Sequence, residues 1–237
     1  MEKQNRVPPF TSALSRREML AVLCWIPVHL ALLPLLLNSL GRRGVLTEPT
    51  ANLLYYALGF AYMLFVAFRF LRRDFDPLAD RPFFVAGTVC GSYLMMMVCN
   101  GLVGFLILQL LPESENPNNA SIIDLVFSSF GIMKATLVFL APIVEEMMFR
   151  AGLFGLFRKR SRELGYAVSI LAFALYHVWS YALQDPTYWL YLLQYLPAGW
   201  LLVRCYERTN SIWGSIFFHM MVNGIAVSLI SALQDMI

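Results

Sequence analysis

Long apolar runs separated by short polar loops set the pattern of this chain. A helix that crosses a hydrocarbon layer about 30 Å thick needs about 20 mostly apolar residues. Seven stretches are of that kind: Met19–Leu40, Ala51–Leu71, Phe83–Leu111, Ile122–Phe157, Tyr166–Leu183, Tyr188–Tyr206 and Ile212–Leu233. The fourth is too long for one straight crossing at about 1.5 Å per residue. It must tilt, break, or begin as a helix lying on the surface. Gly131, Lys134 and Pro142 are the places to bend it. The expectation is an all-α, polytopic transmembrane helical bundle of seven spans, or eight if the fourth run divides.

Composition agrees with lipid as the solvent. The 237 residues are 59% hydrophobic and 14% charged, against about 45–50% and about 25% in soluble domains. The length suits one membrane domain. The net charge of +3 is small and sits in clusters between apolar runs, so no nucleic-acid partner is expected. Arg16 and Arg17 precede the first run as in a signal peptide. That run is too long for an h-region and no clear A-x-A site follows it, so it reads as the first span. Cys24, Cys90, Cys99 and Cys205 form no CxxC pair and read as packing residues.

Charge in the loops gives an orientation. Arg69, Arg72, Arg73 and Arg81 surround the second loop, Arg158–Arg162 follow the fourth run, and Arg204 and Arg208 follow the sixth. The alternating loops hold Glu113 and Glu115, then Asp185, without Lys or Arg. Basic loops stay in the cytoplasm, which puts the amino terminus inside a bacterial-type plasma membrane. Arg42 and Arg43 fall on the other side. The polar, turn-rich loop Pro112–Ser121 divides the membrane domain. Residues 1–111 carry no motif, and residues 112–237 hold all the candidate chemistry.

Ionisable groups inside a membrane are costly, so they need partners or a polar cavity. The first such cluster is Ala141-Pro-Ile-Val-Glu145-Glu146-Met-Met-Phe-Arg150. Neighbouring carboxylates point about 100° apart on a helix. Glu146 and Arg150, spaced i,i+4, share a face and can pair. Glu145 is then left to face a cavity with the raised pKa of a general base. The second cluster is Phe173-Ala-Leu-Tyr-His177 and the third His219-Met-Met-Val-Asn223, again i,i+4. Each alone is also explained as a salt bridge or an interhelical hydrogen bond. His29, lone in the first run, reads as a packed core histidine. Together, Glu145, His177 and His219 supply the ligand number of a zinc centre, so one zinc ion is one reading. In the other, Glu145 activates water while His and Asn stabilise the oxyanion.

The order EExxxR (Glu145–Arg150), FxxxH (Phe173–His177), HxxxN (His219–Asn223) resembles the CAAX-protease and bacteriocin-processing family of intramembrane proteases. The preceding Ala-Pro-Ile resembles it too, and Arg-Ala-Gly replaces the commoner Arg-Gly. The resemblance covers roughly Asn116 to Ser228. It implies a helical bundle with the site inside the membrane, reached from the cytosolic side. Eukaryotic members remove the last three residues of prenylated CAAX proteins, and some bacterial ones are linked to bacteriocin maturation or immunity. By matching position, Glu145 activates water, His177, His219 and Asn223 surround the reacting centre, and Glu146, Arg150 and Phe173 support them. The partner implied is a membrane protein or peptide substrate in the bilayer.

Other membrane proteases fit worse. The chain lacks HExxH, a rhomboid GxSG and a presenilin-type GxGD, and the spacing of Ser129 and Lys134 does not suggest a dyad. Two further classes stay open at this point. One is a non-catalytic binder or immunity protein of the same fold. The other is a small transporter using Glu145 and His177 as a proton relay, although no repeated halves are visible.

Overall fold

The computed structural model describes residues 10–112 and 114–234. Glu113, one of the acidic residues used for orientation, lies outside the described residues, as does the amino terminus itself. Eight long helices account for most of the chain, and the described residues contain no strand. They are α1 (Arg16–Arg42), α2 (Glu48–Arg73), α3 (Pro82–Leu110), α4 (Pro117–Ser128), α5 (130–158), α6 (Arg162–Ala182), α7 (Leu192–Thr209) and α8 (Ile212–Gln234).

Local chemistry sets the boundaries. Ser15 and Glu18 form a capping box at the start of α1. Asn116 caps α4 through the amides of Asn118 and Asn119, and Ser161 caps α6 through that of Leu164. Asn210 turns α7 into α8 with φ 55°, a left-handed conformation that Asn tolerates.

Five helices are long and apolar enough to cross a membrane by themselves: α1, α2 with the turn that follows it, α3, α6 and α8. This differs from the seven or eight spans expected from the sequence. The helix α7 carries Arg204, Glu207 and Arg208 in its last turns. The long fourth run is broken. Ser129 leaves helical geometry (φ −160°, ψ 71°) and divides α4 from α5. Within α5, π turns at Thr136–Leu140 and Met147–Phe154 flank the α-helical Ala141–Glu146. The break therefore falls two residues before Gly131, while Pro142, which lacks a backbone donor, sits where a π turn gives way to α-helix. A third π turn, Val28–Leu32, lies between Pro27 and Pro34 in α1.

The broken α5 runs through the centre, packed by α1, α2, α6 and α8. Gly59 of α2 lets that helix approach closely, since a Cβ there would lie 3.0 Å from both Val144 methyls. The outer faces carry Phe65, Phe83, Leu94, Leu102 and Phe105, all well exposed, as side chains facing lipid tails are.

One end of the bundle is tied together by polar contacts. Glu207 holds Arg158 at 3.0 Å and Arg162 at 2.7 Å. Ser12 donates to Asp74 (2.8 Å), the Ile212 amide donates to the same carboxylate, and Trp213 donates to the Leu71 carbonyl (2.8 Å). At the other end Tyr191 donates to the Ser114 carbonyl (2.8 Å) and Asn116 to Gln194 (2.6 Å). Asp185 lies there too. The amide and hydroxyl of Thr187 hold its carboxyl below the usual carboxylate range. The four cysteines are free thiols.

Candidate active site

Glu145 and Glu146 sit on the short α-helical stretch between the two π turns of α5, and both are buried. They diverge as their spacing requires. Glu146 Oε1 accepts from Arg150 Nη1 (2.9 Å) and from His219 Nδ1 (2.9 Å). Arg150 is fully buried, rests over the Phe173 ring at 4.3 Å and donates to the Gly199 carbonyl at 3.4 Å. The pair read from i,i+4 spacing is thus part of a larger unit that locks His219.

Glu145 turns the other way, into a cavity of about 1070 Å³ whose walls also include His177, His219 and Asn223. Its Oε1 accepts a hydrogen bond from the Tyr56 hydroxyl at 3.0 Å. Its Oε2 has no hydrogen-bond partner among the described residues. That oxygen lies 3.9 Å from His177 Nε2 and 3.9 Å from His219 Nε2. Three helices therefore bring Glu145, His177 and His219 to one point.

The protons on the imidazoles follow from their outer partners. His177 Nδ1 faces the Phe173 carbonyl at 2.9 Å. A carbonyl can only accept, so Nδ1 carries the hydrogen. His219 Nδ1 faces the Glu146 carboxylate and donates in the same way. In the neutral form of each ring, Nε2 is then bare and faces Glu145 Oε2. Three acceptors facing one another need a proton donor between them, and a water molecule supplies two. Asn223 is placed beside them by a bond from its Nδ2 to the Leu137 carbonyl (2.9 Å), on the first π turn of α5.

The zinc reading fits less well. In a tetrahedral site with bonds of about 2.0–2.1 Å, neighbouring ligand atoms lie about 3.3 Å apart. The two measured edges are both 3.9 Å. Among the described residues, no group of three His, Cys, Asp or Glu side chains is arranged to hold a metal ion.

Three tyrosines complete the site: Tyr176 fills an unspecified position of FxxxH, and Tyr56 and Tyr195 lie outside the motifs. Tyr56 comes from α2, in the half of the chain without motifs. Its hydroxyl lies 3.0 Å from that of Tyr176, which lies 3.3 Å from His29 Nε2. His29 is fully buried, as a core histidine should be, yet it ends a chain leading to the Glu145 carboxylate. Tyr195 stacks on His177 with ring centroids 4.6 Å apart, and its hydroxyl is held by Asn116 and Asn118. Tyrosines are common in apolar runs, so nothing in the sequence marked these. Ser129 forms the helix break, and Lys134 lies over the Phe130 ring.

Comparison with known proteins places this geometry. Residues 127–225 match the family described as type II CAAX prenyl endopeptidase Rce1-like. This stretch is similar to that family. It contains all three motifs, so the resemblance read from Glu145–Arg150, Phe173–His177 and His219–Asn223 is the one the comparison finds. A Bacillus subtilis (strain 168) protein named "Putative membrane peptidase YdiL" is 31% identical over 114 residues, or 48% of this chain. The match spans 43% of that relative, less than half its length. No solved structure matches the chain.

Proposed function

We propose that this chain is an intramembrane endopeptidase that hydrolyses a peptide bond of a membrane-associated protein or peptide. The observation that carries the reading is Glu145 Oε2, without a hydrogen-bond partner among the described residues and equidistant from two imidazole nitrogens that line the same cavity. A carboxylate oxygen that faces two ring nitrogens across the cavity is placed to take a proton from a water bound between them. A water held there gives its proton to Glu145 as its oxygen adds to the scissile carbonyl. The oxyanion is met by the second N–H of Asn223, while the two imidazole Nε2 atoms hold the attacking water as acceptors. Collapse breaks the C–N bond, and the proton on Glu145 passes to the leaving amine. The Rce1-like match and the peptidase name of the relative support the same reaction class.

Tyr56 belongs to this proposal as a positioning residue. By donating to Oε1 it fixes the carboxylate rotamer that aims Oε2 at the histidines. Tyr56→Phe keeps the ring and deletes one bond to a charged group. Turnover is expected to fall about tenfold or more, with kcat carrying the loss and KM nearly unchanged. A Tyr56→Phe protein as active as the parent would remove Tyr56 from the mechanism.

The metal question has its own expected result. With water activated by Glu145 alone, purified protein keeps its activity through exhaustive chelation. Loss on chelation and recovery on adding zinc would reject the metal-free route.

The peptidase reading is tested by comparing protein termini in cells carrying the parent chain and cells carrying Glu145→Gln. New C- or N-termini on membrane or exported proteins, present only with the parent, are expected. Identical termini in the two cultures would reject it.

A further inference from the structure

The helix ends that converge through Glu207, Asp74 and Trp213 are also the ends that carry the basic residues. Arg16, Arg69, Arg81, Arg158, Arg160 and Arg204 all belong to this face. Arg208 joins them, its guanidinium 5.7 Å from the ring of Phe84 at the start of α3. Among the described residues, Arg42, Arg43 and Lys134, near the start of α5, stand against them towards the opposite end. Lysine and arginine in short loops are retained in the cytoplasm. The basic face is therefore the inner one.

The cavity does not open there. Between Glu145 and the basic face lie the fully buried Glu146 and Arg150, with Met147, Met148 and Phe154 packed just as completely. The polar walls come instead from the other ends of the helices. They include Asn38 late in α1, Asn52 early in α2, Asn119 in α4, Ser180 late in α6 and Gln194 early in α7. Depth along the helices agrees. On α6, His177 is about 7 Å of helix from Ala182 but about 22 Å from Arg162. On α2, Tyr56 is about 12 Å from Glu48 but about 26 Å from Arg73.

We propose that the catalytic cavity opens to the non-cytoplasmic side, so that its substrates are exported or membrane-anchored polypeptides presented at the outer leaflet. The side of the opening is independent of the peptidase reading; the nature of the substrate rests on it. The wall chemistry suits such a segment. Among the described residues, Glu145 is the only Asp, Glu, Lys or Arg lining the cavity, and the other polar groups there are mainly amides, hydroxyls and two histidines. Side-chain amides donate to and accept from peptide groups without selecting a charge. A neutral, extended stretch of main chain matches that lining, and a charged terminus does not. This access is opposite to the cytosolic one that the family resemblance implies.

Side-specific labelling tests this without reference to activity. In a background with Cys24, Cys90 and Cys99 replaced by Ala, single cysteines are introduced as Asn119→Cys and Ser180→Cys at the cavity and Arg160→Cys at the basic face. A membrane-impermeant maleimide is applied to intact cells and to permeabilised ones. Either cavity position is expected to react in intact cells, with Arg160→Cys reacting only after permeabilisation. Protection of both cavity positions in intact cells, or reaction of Arg160→Cys there, overturns the proposal. Unchanged protein termini in Glu145→Gln cells would instead overturn the peptidase reading and leave the labelling result standing.

Discussion

A Glu145→Gln protein is expected to insert, fold and melt like the parent, yet to cleave its peptide about 10²–10⁴ times more slowly. The amide keeps the size of the side chain and can still accept from Tyr56. What it loses is the ability to take a proton from water at the position of Oε2, 3.9 Å from each imidazole. Because that oxygen has no protein partner, little native structure should depend on its charge. Cleavage of a peptide identified from the altered termini, assayed in liposomes beside a thermal melt, separates chemistry from folding. Full turnover by a well-folded Glu145→Gln protein would exclude Glu145 as the base.

Arg150→Ala is expected to fail differently, with a stability loss of about 3–5 kcal/mol, the usual cost of stranding one member of a buried ion pair. Glu146 would remain as a carboxylate with no cation, fully buried and far from water. Its hold on His219 would change with it, since both bonds use Oε1. The Phe173 face now covered by the guanidinium would be left bare. Melting in detergent reads the loss directly. The double variant Glu146→Gln with Arg150→Met removes both charges, so it should recover much of the melting temperature while activity stays low. Equal melting of parent and Arg150→Ala would show that the pair is not structural.

The apolar runs made most helices legible, because a segment surrounded by lipid has few ways to satisfy its backbone except as a helix. The pairing of Glu146 with Arg150 was legible for a similar reason, since i,i+4 spacing fixes which side chains meet. What stayed hidden depended on contacts between distant helices. The break at Ser129 involves neither proline nor glycine. The π turns of α5 let Glu145 and Asn223 reach one cavity, and no residue pattern announces them. Tyr56 looks like any interfacial tyrosine until α2 packs against Val144 and its hydroxyl meets the Glu145 carboxylate. The Phe173 carbonyl orients His177, a role that backbone of any sequence could fill.

The cavity joins two parts of the chain with separate duties. The groups proposed to react come from residues 145–223, whereas Leu30, Pro34, Asn38, Asn52, Tyr55 and Asn100 in the front half form part of the remaining wall. Apart from the Tyr56 hydroxyl bond, these front helices meet the space where a guest would lie more than the atoms that react. On the peptidase reading, such a division lets selectivity drift while the proposed hydrolytic groups stay fixed. On that reading, one reacting half serves different guests by changing the panel in front of it, much as a lock keeps its bolt when the wards are recut.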